Sequence, residues 1–318
     1  MKILYVYSDY RRRRGEYGKV MSRLGHKVSY LDVNKNTANA LKPKHIKRVK
    51  PDVLWLLNPF YVKKNREAIA YARKKGIPIV VYGTLNPQTP FPDWLEHWKK
   101  VDFLFVHNME LCNYLKSQGL NAWFMPIGFY PDMYFKSSRL QQNIDASFCG
   151  SMDRKVAAKR DKRCIFIQSL QNFKTKVYGY DFRNKLKGIN VVRYRLHDKQ
   201  RRVYSRTKVN LDLPFYSGAH TWYKDKFHIK NRFFEIPATS NFMLTLRYPE
   251  SELIYDESQV GFYDYSVDSL KEEVARYLKD KAIREKKAAN AYRLVQEKHT
   301  FEHRFKEMFA ILASYGIK

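Results

Sequence analysis

Cysteine is scarce in this chain. Only Cys112, Cys149 and Cys164 stand among 318 residues. No pair is spaced as CxxC, which removes the usual zinc patterns, and three scattered thiols give no disulfide framework. Such usage fits a reducing, cytoplasmic compartment. Long apolar runs are also missing. No stretch approaches the ~20 apolar residues that a membrane-spanning helix needs. The opening MKILYVYSDY is too short an apolar run for a signal peptide, and arginines follow it at once. It reads as a first buried strand. Residues 11–18 after it (RRRRGEYG) match neither GxGxxG nor a P-loop, which argues against a nicotinamide oxidoreductase or a P-loop NTPase. No internal repeat or low-complexity tract interrupts the chain.

Acidic residues are in deficit. Lys and Arg number 60 against 31 Asp and Glu, a formal net charge of +29. An excess of this size attracts polyanions: nucleic acid, an anionic membrane surface or a phosphorylated ligand. A nucleotide alone needs only a few basic groups, so it leaves most of the excess unexplained. Hydrophobic residues, at 44%, and aromatics, at 15%, are sufficient for real cores and exclude a disordered chain.

The length suits two domains. Short apolar runs at residues 2–7 (KILYVY), 26–31 (HKVSYL), 51–57 (PDVLWLL), 77–82 (IPIVVY), 102–107 (DFLFVH) and 122–125 read as strands. Helical segments separate them, among them residues 15–24, 65–75 and 109–118, closed by Gly25, Gly76 and Gly119. Continuous apolar strands alternating with helices predict an α/β fold with a parallel sheet covered on both faces. The pattern breaks over residues 126–142 and resumes at residues 145–149 (DASFC). Further strands are expected at 176–179, 191–194, 209–213 and 242–246, and helices at 269–279, 282–298 and 301–315. The expected division is an acceptor-side Rossmann-like domain at 1–135 and a second doubly wound domain at 143–318. The terminal helix is expected to pack back on the first domain. Ligands of such sheets bind beyond the carboxyl ends of the strands.

Residues 231–245 (NRFFEIPATSNFMLT) are the most informative segment. A short helix over 232–238 carries Glu235, with Pro237 expected in an early turn. A carboxylate there can accept hydrogen bonds from two ribose hydroxyls. Thr239, Ser240 and Asn241 offer small polar groups and backbone N–H groups suited to phosphate oxygens. A capped helix leading into a strand, with Glu235 in a surface ion pair, is the plain structural alternative.

This segment resembles the R-x-F-E-x-x-A-x-G-x-x-L-(L/V)-T signature of the CgeB-like (spore-maturation) glycosyltransferases. Residues 297–304 (EKHTFEHR), 145–151 (DASFCGS), 176–180 (KVYGY) and 204–213 (YSRTKVNLDL) are similar to four further elements of that family, in the same order. The resemblance implies a GT-B fold of two facing Rossmann-like domains and a nucleotide-diphosphate sugar donor, a UDP-sugar first among them. It also implies that no metal is required. Carried over, Glu235 is the ribose ligand, and Arg232 belongs to the same signature. Thr239, Ser240 and Asn241 are phosphate ligands. Arg154, joined by Lys155, meets the diphosphate after the Gly150–Ser151 turn, and Tyr178 and Gly179 border the nucleobase. The family's glycine is replaced where Ser240 or Asn241 stands.

An inverting transferase needs a base for the acceptor hydroxyl. Asp9, Asp93 and His107 all fall near expected carboxyl ends of strands, and each is open to a non-catalytic role. The early Asp that many relatives carry is missing from residues 81–94 (VYGTLNPQTPFPDW). Arg11, Arg12, Arg13 and Arg14 would make the acceptor side positive. Tyr216, Trp222 and Tyr223 could stack on an extruded base. A hydroxylated base in DNA is therefore one acceptor class. A glycan, protein or lipid-linked acceptor near an anionic membrane is another. A GT-B-like protein that binds nucleic acid without transfer is a third reading.

Overall fold

The structure is a computed structural model. It describes residues 1–7, 15–33, 41–57, 62, 64–83, 92–136, 140–151, 161–180, 185–193, 200–215 and 227–317, with the side chains of residues 15, 92–94 and 151 outside that description. Two compact units result. One comprises Met1–Pro126 with Phe301–Lys318, and the other Ile127–Thr300.

The first unit contains β1 (Lys2–Tyr7), α1 (Gly15–Arg23), β2 (Lys27–Asp32), α2 (Pro43–Val49), β3 (Val53–Leu56), α3 (Arg66–Lys74), β4 (Ile79–Gly83), α4 (Pro92–Trp98), β5 (Phe103–Val106), α5 (Met109–Ser117) and β6 (Ala122–Phe124). The six strands pair in parallel in the order β2-β1-β3-β4-β5-β6. Strands β3, β4 and β5 are buried along their whole length. That is why they read as unbroken apolar runs and not as alternating ones. Each fully buried Val, Leu, Ile or Phe contributes about 1.5–3 kcal/mol relative to exposure.

The last helix of the chain belongs to this unit. It lays Phe301, Phe305 and Phe309 against Tyr17, Tyr82, Trp55 and His26, with ring centroids 3.9–5.9 Å apart.

The second unit runs β7 (Ile144–Ser151), α6 (Lys162–Gln168), β8 (Thr175–Tyr180), β9 (Asn190–Val192), α7 (Gln200–Arg206), β10 (Thr207–Asp212), α8 (Arg232–Ala238), β11 (Met243–Leu246), α9 (Pro249–Ile254), β12 (Gly261–Tyr263), α10 (Val267–Lys279) and α11 (Lys281–Lys298); α12 (Phe301–Ser314) is the terminal helix of the first unit. Its parallel sheet has the order β12-β11-β10-β7-β8-β9. The core joins Phe148, Ile167, Val177, Leu211 and Leu244 of the sheet and α6 to Val274 and Tyr277 of α10. Strand order reverses between β7 and β10. A crevice opens at the carboxyl ends of the two strands flanking such a reversal.

Among the described residues, no helix is long and apolar enough to cross a membrane.

Candidate active site at the carboxyl edge of the second sheet

Gly150 and Ser151 end β7, and Asp212 ends β10, so both strand ends border the reversal point. Gly150 pairs in register with Gly179 of β8. A Cβ on Gly179 would lie 1.5 Å from the Gly150 carbonyl oxygen, a distance no side chain can occupy. The two backbones therefore meet only because residue 179 has no side chain. Gly179 was expected to border a nucleobase, and its immediate role in the structure is this backbone contact. Tyr178 beside it is half-buried, and burial raises its phenol above the ordinary value.

Cations collect at the same edge. Arg232 opens α8 and is buried, with its Nε 2.7 Å from Asp212 Oδ1. It also donates to the Leu213 carbonyl and lies over the Phe148 ring at 4.6 Å. Arg163, at the start of α6, is buried against Asp161 at 2.7 Å. Lys230 contacts His228 through its ammonium nitrogen. Burial holds Lys230 well below the usual lysine range, and Arg232 and Arg163 push it further down. Asp212 is the counter-charge. Burial raises its carboxyl above the ordinary range, against the pull of Arg232. Thr245 donates to its Oδ2 at 3.1 Å. Two guanidinium groups and a lysine whose charged form is disfavoured thus share an edge in which a carboxylate is partly disfavoured too, an environment in which an added anion would favour the charged lysine. Arg163, Lys230 and His228 were not singled out from sequence. Only the strand order brings these two segments to the end of β10, and spacing along the chain gives no hint of it.

Glu235 is buried at 3% exposure and accepts a hydrogen bond from Gln200 Nε2 at 3.2 Å. Gln200 also donates to Tyr204 Oη, and its Oε1 accepts from Tyr134 at 3.3 Å. The surface ion pair envisaged as the plain alternative for Glu235 is therefore not what the fold makes. The carboxylate belongs to a buried polar network one helical turn from Arg232.

Pro237 departs from expectation. It lies in the last turn of the seven-residue α8 and not in an early one. Its missing N–H would leave the Phe233 carbonyl without its helical partner. The Tyr255 hydroxyl donates to that carbonyl at 2.9 Å in its place.

Thr239, Ser240 and Asn241 do not join this edge. In a parallel sheet the crossover helix returns the chain to the amino end of the next strand. These three residues follow α8 and precede β11. They lie about 10 Å along the helix from its start, given seven residues at ~1.5 Å each. Their side chains are locally engaged: Thr239 donates to the Ile236 carbonyl at 2.7 Å, and Asn241 donates to Thr239 Oγ1 at 2.8 Å. Ser240 has φ of 57°. This left-handed residue ends the helix, a position that favours glycine. The glycine of the resembling signature is thus accounted for by helix termination and not by phosphate approach.

His107 follows β5 in the first unit and is 5% exposed. Its Nδ1 lies 2.8 Å from the Met125 carbonyl oxygen, and its ring meets Tyr82 edge-on at 4.8 Å. Burial, aided by Arg304, lowers its pKa to about 4 against the raising effect of the Met125 bond. An imidazole held in this way is part of the core and cannot reach an acceptor hydroxyl. Asp93 lies on α4, with its side chain outside the description. Asp9, Arg11, Arg12, Arg13, Arg14, Arg154, Lys155, Tyr216, Trp222 and Tyr223 lie outside the described residues. Among the described residues, no group of three or more His, Cys, Asp or Glu is placed to hold a metal ion.

Residues 160–310 match the sequence family described as glycosyl transferase-like. No curated protein matches the chain. Solved structures similar along the whole chain include sucrose-phosphate synthase from Thermosynechococcus elongatus, with a TM-score of 0.71, 9% identity and 99% of both chains covered. The Anabaena protein HepE in complex with UDP-glucose has a TM-score of 0.69 and 11% identity, covering 99% of this chain and 100% of that one. The E. coli trehalose-6-phosphate structure bound with UDP-2-fluoro glucose has a TM-score of 0.69 and 10% identity, covering 98% of this chain and 99% of that one. The two parallel six-stranded sheets with their helices are the GT-B fold. The match over residues 160–310 indicates a glycosyltransferase enzyme.

Proposed function

We propose that this glycosyltransferase takes its sugar from a UDP-sugar held at the carboxyl edge of the second sheet. The observation that carries the reading is the gathering of Arg232, Lys230 and Arg163 where β7 and β10 end. Guanidinium and ammonium groups there can pair with diphosphate oxygens. Glu235 would turn from Gln200 to accept from the ribose hydroxyls, and Arg154 and Lys155 would add to the diphosphate contacts. Tyr178 would border the base. UDP-sugar complexes of structurally similar proteins support this choice of donor.

In the transfer, the bond between the anomeric carbon and the diphosphate oxygen breaks. A bond from that carbon to the acceptor oxygen forms. The acceptor proton passes to a base, for which Asp9 and Asp93 are the candidates, or to the departing phosphate. UDP leaves with the negative charge that the cations offset. Stabilising charge where it develops is the largest catalytic term that such a site can supply. Donor binding is expected to persist in the presence of EDTA.

For the acceptor we propose a hydroxylated base in DNA, modified in the cytoplasm. The net charge of +29 supports this, because a nucleotide site uses only a fraction of it. Arg11, Arg12, Arg13 and Arg14 would contact phosphates, and Tyr216, Trp222 and Tyr223 would stack on the extruded base.

The test is release of UDP from UDP-sugars with and without hydroxymethylated duplex DNA, in wild type and Glu235→Gln. DNA-dependent release that falls about tenfold or more in the variant supports both parts. Release that is independent of DNA moves the acceptor to a glycan, protein or lipid. Binding of DNA with no release from any donor defeats the transferase reading.

A further inference from the structure

The second unit carries another cavity, at the opposite edge of its sheet. It encloses about 520 Å³ between the segment before β7, the start of β10, the α8–β11 turn and the first half of α11. Lys208 is the second residue of β10 and Asp212 its last. The cavity and the candidate donor edge are therefore on the order of 13 Å apart, at ~3.3 Å per strand residue. Its size lies in the range of small-molecule sites.

The charges around this cavity are poorly balanced. Lys136, Lys208, Lys281 and Arg284 line it, with Glu285 as the one lining carboxylate. Lys208 is matched by Asp145 at 2.8 Å, and Lys281 reaches Glu285 only at 3.9 Å. Arg284 is 5% exposed. Its Nη1 donates to the carbonyls of Tyr277 and Leu278, neutral acceptors that end α10. Among the described residues, no carboxylate lies within ion-pair distance of this buried guanidinium. Burying such a charge is costly unless an anion answers it.

Lys281 and Arg284 stand in the first turn of α11, and Asp280 caps that helix, its Oδ1 accepting from the Ile283 N–H at 2.8 Å. This carboxylate answers the helix dipole. Burial lowers the Arg284 pKa, against the raising effect of Glu285 and Asp280. Leu140, Phe242, Ala288 and Ala289 add apolar surface to the lining. Cations and carbon together suit an organic phosphate and are more than a bare ion requires.

We propose that this cavity is a second ligand site, for a phosphomonoester of hexose or nucleoside size. Its phosphate is held by Arg284, Lys281 and Lys136, and its organic part rests on the Phe242 and Ala288 side. The site is separate from the donor site, and its occupant does not enter the transfer.

The test is calorimetric titration of the full chain with glucose 6-phosphate, UMP and inorganic phosphate, in the presence of saturating UDP to fill any donor site. UDP binding is measured first and separately, so failure of the donor reading shows on its own. The variants are Lys136→Gln/Lys281→Gln, exposed changes that leave the core intact, and Ala289→Trp, which fills the cavity. One equivalent of glucose 6-phosphate or UMP is expected to bind wild type more tightly than inorganic phosphate. The double variant should weaken it about tenfold or more, and Ala289→Trp should abolish it with UDP binding unchanged. Three results would overturn the proposal: no binding of either ester, esters binding both variants like wild type, or the lysine variant losing duplex DNA binding alone.

Discussion

Acid should destabilise the first unit through one histidine. His107 is buried, donates from Nδ1 to the Met125 carbonyl, and has its pKa lowered from 6.5 to about 4 by burial and by Arg304. In the unfolded chain the ring titrates near its ordinary value. Between the two values the unfolded state binds a proton that the folded state refuses. Stability therefore falls as pH drops from above 6.5 towards 4, and it levels off below. At 1.36 kcal/mol per pKa unit the full loss is about 3 kcal/mol, with about 2 kcal/mol gone by pH 5. The assay is urea unfolding followed by tryptophan fluorescence at pH 7.5, 6, 5 and 4.5. Four of the five tryptophans, Trp55, Trp94, Trp98 and Trp123, precede residue 127, so the signal reports mainly on this unit. His107→Gln costs some packing at every pH but removes the proton. Its stability should decline less than that of wild type by about 2 kcal/mol between pH 7.5 and 5. His26, His45 and His303 are lowered too and remain in both proteins. Parallel declines in the two proteins would refute the argument.

Gly179→Ala places a Cβ on the Gly150 carbonyl; it should cost about 1–3 kcal/mol or more, read as a lower urea midpoint with weakened UDP binding. Ser240→Gly relieves a left-handed serine and should raise stability by about 1 kcal/mol while leaving UDP affinity unchanged. A loss of UDP affinity in that variant would return Ser240 to the phosphate site. Tyr255→Phe removes the donor to the Phe233 carbonyl and should cost about 1–3 kcal/mol, seen as a lower melting temperature.

The strands of the first unit were legible to within about two residues, because full burial writes them as unbroken apolar runs. Helices such as α3, α5, α10 and α11 were legible from their periodicity and their flanking glycines or caps. β12 was not: three residues, Gly261–Tyr263, carry too little pattern. Short α6, α7 and α9 were missed for the same reason. The expected strand at 191–194 is found as Asn190–Val192. At the candidate site, Glu235 and Arg232 were visible because they stand in one contiguous motif. Asp212, Lys230 and Arg163 come from three segments that only a six-stranded order assembles. Thr239, Ser240 and Asn241 were adjacent to Glu235 in sequence and were grouped with it. A helix of seven residues is long enough to carry neighbours in sequence to opposite edges of a sheet.

The terminal helix has a consequence for synthesis. Its Phe301, Phe305 and Phe309 supply part of the core in which Tyr17, Trp55 and Tyr82 are packed. The unit translated first is therefore the one completed last. In a chain truncated after residue 300, the continuous segment 127–300 keeps its own core while the earlier sheet exposes an aromatic face. Once released, such a truncated chain would present that face to chaperones while its second unit folds.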